Sequence, residues 1–247
     1  MMTNDLDELR LMHSIICELI RDDWIFHNKN IAIELCSGFY NILKEPYCHI
    51  CSMPGVETNK CNYHKSLYGF DRIYTVGVYY PPRYEREDLL SKHILSLKRD
   101  KRYAKPLGVA LSIILRDRCS IKEADLITAV PLHQQEFRER GFNQSLEIAN
   151  VLGSKLGIEV EHVLYKTKAI AMKNKSYYER KNLVKGLYEL LHGKQHLVNN
   201  KYILLVDDIV TSGFTVSECS KILRDAGARK VDVIAVARTT PGFYRDV

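Results

Sequence analysis

The chain has 247 residues, 46% of them hydrophobic, enough for one main domain and a small accessory module. No run approaches the roughly 18 apolar residues of a membrane-spanning helix, and the first residues, with Asn4, Asp5, Asp7 and Glu8, do not read as a signal peptide, so a soluble cytoplasmic protein without membrane insertion is expected. The formal charge of +6 is modest but concentrated: Lys166, Lys168, Lys173, Lys175, Arg180, Lys181 and Lys185 stand against the single acid Glu179, a segment suited to phosphate or nucleic acid.

Apolar residues recur at helical spacing from Leu6 to Ile20 and from Ile31 to Leu43, predicting two helices in an N-terminal extension over residues 1–45. Pro46 stops that pattern, and the segment 46–66 is too poor in apolar residues to pack alone. Its Cys48 and Cys51, then Cys61 and His64, form two paired ligand sets separated by nine residues, an arrangement suited to a closed tetrahedral structural zinc. Metal binding there would supply folding energy. Incidental loop cysteines, or His49 in place of His64, remain the alternatives. The seven cysteines are an odd number and no secretory signal is evident, which argues against a disulfide framework. Cys17, Cys36, Cys119 and Cys219 fall on apolar helical faces and read as core residues.

In the remaining stretch, 67–247, a strand is predicted from Arg72 to Tyr80, closed by Pro81 and Pro82, then helices through Leu89–Leu97 and Leu107–Ile114 and a strand Leu126–Val130. A helix Gln144–Leu156, a strand Val160–Tyr165, a strand Tyr202–Val206, a helix from about Thr215 and a strand Val231–Ala237 follow. This alternation predicts an α/β fold with a parallel sheet flanked by helices. Ligands of such sheets sit at the carboxyl ends of strands, here just after Val130 and Val206.

The apolar run from Tyr202 ends in Asp207 and Asp208, followed by Thr211, Ser212, Gly213, Phe214 and Thr215 and an amphipathic helix. Adjacent carboxylates repel unless a cation or hydroxyls engage them. Backbone N–H groups ahead of a helix, with Gly213 permitting a tight turn and hydroxyls nearby, cradle phosphate. An Asp-rich turn with a capping threonine is the plainer reading of the same residues.

The string from Val206 to Thr215 resembles the 5-phosphoribosyl-1-pyrophosphate (PRPP) signature of type I phosphoribosyltransferases, which implies that Asp207 and Asp208 contact the ribose hydroxyls and that Thr211–Thr215 wraps the 5-phosphate. Val130-Pro131-Leu132-His133, followed by Arg138-Glu139-Arg140-Gly141-Phe142-Asn143-Gln144, is similar to the ComF family. That likeness spans roughly residues 46 to 238. It implies a pyrophosphate-holding turn at Val130, Pro131 and Leu132, with Arg138 and Arg140 available for phosphates or DNA; a plainer role for Gly141 and Phe142 is to cap and staple a helix. ComF-like proteins carry a four-cysteine zinc module, and His64 stands here for the last cysteine. The segment after Lys168 departs from the family pattern at Met172 and Asn182.

The resemblance thus implies a type I phosphoribosyltransferase domain over 67–247, magnesium bound with PRPP, phosphoribosyl transfer, and a competence role with single-stranded DNA. The basic loop would close over PRPP with Tyr177 and Tyr178, or be a solvated surface loop. Base salvage, and a regulatory or defence effector with a protein partner at the N-terminal helices, are the rival readings; those helices could equally complete the core.

Overall fold

The computed structural model describes residues 5–36, 40, 69–80, 88–116, 119–170, 179 and 182–239. Four strands form a parallel sheet in the order β1 (Arg72–Val78), β6 (Lys230–Arg238), β5 (Tyr202–Val210), β2 (Leu126–Ala129). β5 lies inside this sheet, and its apolar run sends alternate side chains to opposite faces. Tyr202, Leu204 and Val206 join a core shared with helices, whereas Ile203 and Leu205 join a second core on the other face.

The first face is covered by α4 (Leu89–Leu97), α5 (Ala104–Arg116) and α7 (Gln144–Leu156), reinforced by α1 (Asp5–Arg21) and α3 (Lys29–Cys36) beyond the short α2 (Trp24–His27). α5 and α7 approach closely because Gly108 has no side chain: a Cβ there would lie 2.6 Å from the Val151 side chain. The second face is covered by α9 (Phe214–Asp225) and by an antiparallel pair, β3 (Leu164–Lys166) and β4 (Tyr188–Leu190), with α8 (Gln195–Val198) leading into β5.

The N-terminal helices complete the core. Leu11, Met12, Ile15, Leu19, Ile31 and Leu35 are buried in the same cluster as the sheet residues. Glu18 of α1 and Asp22 just after it both pair with Lys155 of α7 at 2.9 Å, and Asp22 pairs with Lys105 of α5 at 2.6 Å. These bridges hold both carboxyls below their ordinary range, chiefly through the lysine hydrogen bonds. Among the described residues no helix is long and apolar enough to cross a membrane.

Three expectations need correction. β5 continues through Asp207 and Asp208 to Val210 because β6 supplies partners that far, Asp207 opposite Ala235 and Val210 opposite Arg238. Residues 160–165 do not form one parallel strand. Val160 makes a single parallel bridge to Ile127, then the chain leaves the sheet and pairs antiparallel with β4. There Tyr188–Leu190 pairs with Leu164–Lys166 and satisfies their backbone groups in place of β2. A helix not expected from periodicity, α6 (Gln134–Arg140), sits between Leu132 and Gly141. The expected zinc ligands Cys48, Cys51, Cys61 and His64 lie outside the described residues.

A buried polar relay fastens α3 to α4. Tyr40 and His93, each 0% exposed, are joined by a 2.8 Å hydrogen bond between the Tyr40 hydroxyl and Nδ1 of His93, while Nε2 lies 3.5 Å from Glu34, which accepts the Tyr103 hydroxyl at 2.8 Å. Burial pushes the His93 imidazole down to about 4. Because the folded state keeps His93 neutral while the unfolded chain takes up a proton near 6.5, stability is lost as pH falls below that value. Between pH 6.5 and 5 the cost should approach about 2 kcal/mol, and His93→Phe should flatten the fall in urea-unfolding free energy over that range. Parallel pH profiles for the two proteins would remove His93 from the account.

Candidate functional site

The carboxyl ends of β2 and β5 are joined directly. The Val130 N–H donates to the Val206 carbonyl at 2.9 Å, so the turn Val130-Pro131-Leu132 stands beside Asp207. Asn143 braces this junction: its side-chain amide donates to the Val130 carbonyl at 3.0 Å, while its Oδ1 caps α7 by accepting from the Ser145 N–H at 3.0 Å. Ser145, in the first turn of α7, then donates its hydroxyl to Oδ1 of Asp207 at 3.0 Å. The same oxygen accepts from the Asp208 N–H at 2.9 Å, and Oδ1 of Asp208 accepts from the Ile209 N–H at 2.8 Å.

Asp207 is an expensive carboxylate. Burial first, and the charge of Asp208 second, push its carboxyl well above the usual range, against the opposing pull of the Ser145 and Asp208 hydrogen bonds. Burial, followed by the nearby charge of Asp207, also raises the Cys219 thiol of α9, which is therefore an inert core group. On the other side of the acidic pair, burial and the charges of Asp208 and Asp88 raise the Tyr79 phenol.

After Val210 the chain turns through Thr211 and Ser212 to Gly213, whose φ of 80° is the left-handed conformation that glycine adopts without steric cost. Gly213 occupies the N-cap of α9 and no side chain caps that end. Phe214 is buried in the second core, so only its backbone can serve a ligand. Thr215 lies beside Tyr188, which is itself buried on β4.

The β3–β4 pair touches both turns. Tyr188 lies opposite Lys166 in the ladder, and Lys166, only 6% exposed, binds Glu136 of α6 at 2.8 Å. Glu136 also accepts from the His133 N–H at 3.1 Å, closing a capping box that fixes the start of α6 behind the Val130 turn. The Gly186 N–H, next to β4, donates to Glu218 of α9 at 2.9 Å.

A phosphoribosyl transferase domain model matches residues 143–242. The chain is 31% identical over 179 residues to the DNA utilization protein YhgH of Escherichia coli K12, covering 69% of this chain and 73% of that one. The chain belongs to the ComF family of type I phosphoribosyltransferase-fold proteins. It is also 27% identical over 217 residues to competence protein F of Haemophilus influenzae, covering 83% and 90% of the two chains. Competence protein ComFC of Streptococcus pneumoniae aligns over 109 residues at 31% identity, covering 44% and 46%.

Within this ComF-family chain the expected residues Val130, Pro131, Leu132, Asp207 and Asp208 meet at one junction, and Thr211–Thr215 follow directly on β5. Arg138 and Arg140 stand exposed on α6, with Arg140 3.4 Å from Gln144. Most of the basic segment between Lys168 and Arg180, with Tyr177 and Tyr178, lies outside the described residues. Sequence reading missed Ser145, Glu136 paired with Lys166, and Tyr188 beside Thr215. Asn143 ahead of Gln144 and Ser145 is a legible helix start, but nothing local signals that Ser145 reaches a residue 62 positions away.

Because the folded state holds the Asp207 carboxyl above its ordinary value, its ionisation costs stability that accumulates as pH rises beyond the usual carboxylate range. Asp207→Asn keeps an acceptor for Ser145 and removes the charge. The unliganded variant should melt higher than the native protein at pH 8 by roughly 2–4 °C for each kcal/mol relieved, with the gain shrinking as pH is lowered. Calorimetric scans across pH check this, and a lower melting temperature at pH 8 would contradict it.

Proposed function

We propose that this ComF-family protein binds PRPP with magnesium at the junction of β2, β5 and α9, transfers its phosphoribosyl group, and works with single-stranded DNA. The observation that carries the reading is the adjacent carboxylates Asp207 and Asp208, half-buried at the end of β5, with Asp207 held by Ser145 beside the Val130 turn and the Thr211–Thr215 turn. A carboxylate kept that far from its ordinary protonation fits a site completed by a cation and sugar hydroxyls. In this reading Asp207 and Asp208 meet the ribose hydroxyls. The backbone of Thr211, Ser212, Gly213 and Phe214, with the hydroxyl of Thr215, takes the 5-phosphate. Val130, Pro131 and Leu132 hold the pyrophosphate, assisted by Arg138 and Arg140.

Magnesium would neutralise the pyrophosphate as it leaves. The chain's own groups orient the ribose for attack at C1 and place carboxylates near the positive charge that develops on the sugar. The basic segment Lys166–Lys185 is proposed to close over the ligand and exclude water. Support for DNA as a partner comes from relatives named for DNA utilization and competence and from the cations of that segment. A partner-dependent effector is the second reading, favoured by Phe26 and Ile33, 60% and 67% exposed on the N-terminal helices. A structural zinc on Cys48, Cys51, Cys61 and His64 completes the proposal.

PRPP with magnesium should raise the unfolding free energy by about 2.7 kcal/mol at a hundredfold excess over Kd. The Asp207→Asn/Asp208→Asn variant should remain folded and lose that shift; an unchanged shift would overturn the assignment of the acids. Elemental analysis should find close to one zinc per chain, lost when Cys48 and Cys51 are both changed to Ser, and folded native protein free of metal would refute the zinc site.

A further inference from the structure

A cavity of about 430 Å³ opens between α6 and β3, lined in part by Pro131 and Leu132 of the turn proposed to hold pyrophosphate. Its volume falls within the roughly 300–1,000 Å³ of ordinary ligand sites. Its walls include Phe137, Tyr165, His133, His162, Leu146 and Lys166, and neither Asp207 nor the segment Thr211–Thr215 contributes to them. Six large hydrophobic side chains are exposed among the described residues, and the two outside the N-terminal helices, Phe137 at 45% and Tyr165 at 36%, both line this cavity.

We propose that this cavity holds a nucleobase of single-stranded DNA, stacked on Phe137 and Tyr165. The inference rests on the reading of DNA as a partner and names where a base is held. α6 buries none of its residues, so Phe137 is not there to pack the fold. The Tyr165 ring is fixed at the wall because its hydroxyl donates to Glu189. His133 is fixed too, its Nδ1 accepting from the Gln135 N–H at 3.2 Å.

The cavity is unsuited to a phosphate. Its lysine, Lys166, is already neutralised by Glu136 at 2.8 Å, whereas the exposed cations lie outside. Arg140 is one turn from Phe137 on α6, Arg138 is its neighbour, and Lys168 follows the wall residue Thr167; all three are exposed. An aromatic slot flanked by exposed cations is the arrangement that stacks a base while the sugar-phosphate chain runs past. The flanking cations are what favour a polynucleotide over a free base.

The test uses the full-length protein and fluorescence anisotropy at low salt with two probes: a short oligothymidylate and an abasic oligomer with the same number of phosphates. Phe137→Ala should weaken oligothymidylate binding by roughly five- to a hundredfold, the range of base–aromatic stacking, and leave the abasic oligomer unaffected. Phe137→Trp should restore the affinity. Equal affinity of native and Phe137→Ala for oligothymidylate, or an equal loss on both probes, would overturn the proposal. Competition by thymidine as strong as by the oligomer would overturn it in favour of a free nucleoside. The thermal shift with PRPP and magnesium separates the two readings. It should persist in Phe137→Ala, and its loss there would assign the cavity to the PRPP site. If native protein binds no oligothymidylate while that shift stands, the nucleobase inference falls and the PRPP reading survives.

Discussion

A strand buried on both faces that carries two carboxylates beyond its apolar run sets the terms for everything around it. The hydrophobic half of β5, Tyr202 to Val206, is covered by helices on one side and by α9 with β3–β4 on the other, and that cover reaches partly over Asp207. Loss of hydration is therefore imposed on a charge by the same packing that stabilises the sheet. The compensation present in the chain is partial: one serine hydroxyl and one backbone N–H. A scaffold that accepts this cost at the carboxyl end of its central strand trades stability for a place where a ligand can gain what the protein lacks.

Much of the architecture was legible because alternating strand and helix patterns are local. Helices α1, α5 and α7 and the strands of the sheet follow directly from the spacing of their apolar residues. α6 escaped because its seven residues hold a single large apolar side chain, Phe137, which does not face the core, so no period exists to be read. Its signature lies instead in the ends, His133 with Glu136 and then left-handed Gly141. The departure of β3 from the sheet was hidden for another reason: it depends on a partner strand, Tyr188–Leu190, more than 20 residues away, and no residue of 160–165 records that.

At the site the same division holds. The acidic pair and the glycine turn are contiguous in sequence and could be recognised as a unit. Ser145 acts on Asp207 and Glu136 on Lys166 across 30 residues or more, and Tyr188 lies beside the distant Thr215, so only the fold brings them together. The N-terminal helices were open to two readings, as an addition or as part of the core. Leu11, Ile15, Leu19 and Leu35 decide for the core, and the Lys155 bridges align α1 along α7, the helix whose first turn supplies Ser145.

The β3–β4 ladder has a geometric consequence. Lys166 and Tyr188 face each other across it, one gripping α6 behind the Val130 turn and the other lying beside Thr215 at the start of α9. Two anchor points on a rigid rung act as a caliper. Hydrogen bonding fixes the two strands at about 4.7–4.9 Å apart, so the ladder braces the two turns from the side opposite their direct β2–β5 junction. In the proposed reading, a ligand phosphorylated at both ends would be measured against both turns at once, so discrimination by length would be built into the backbone.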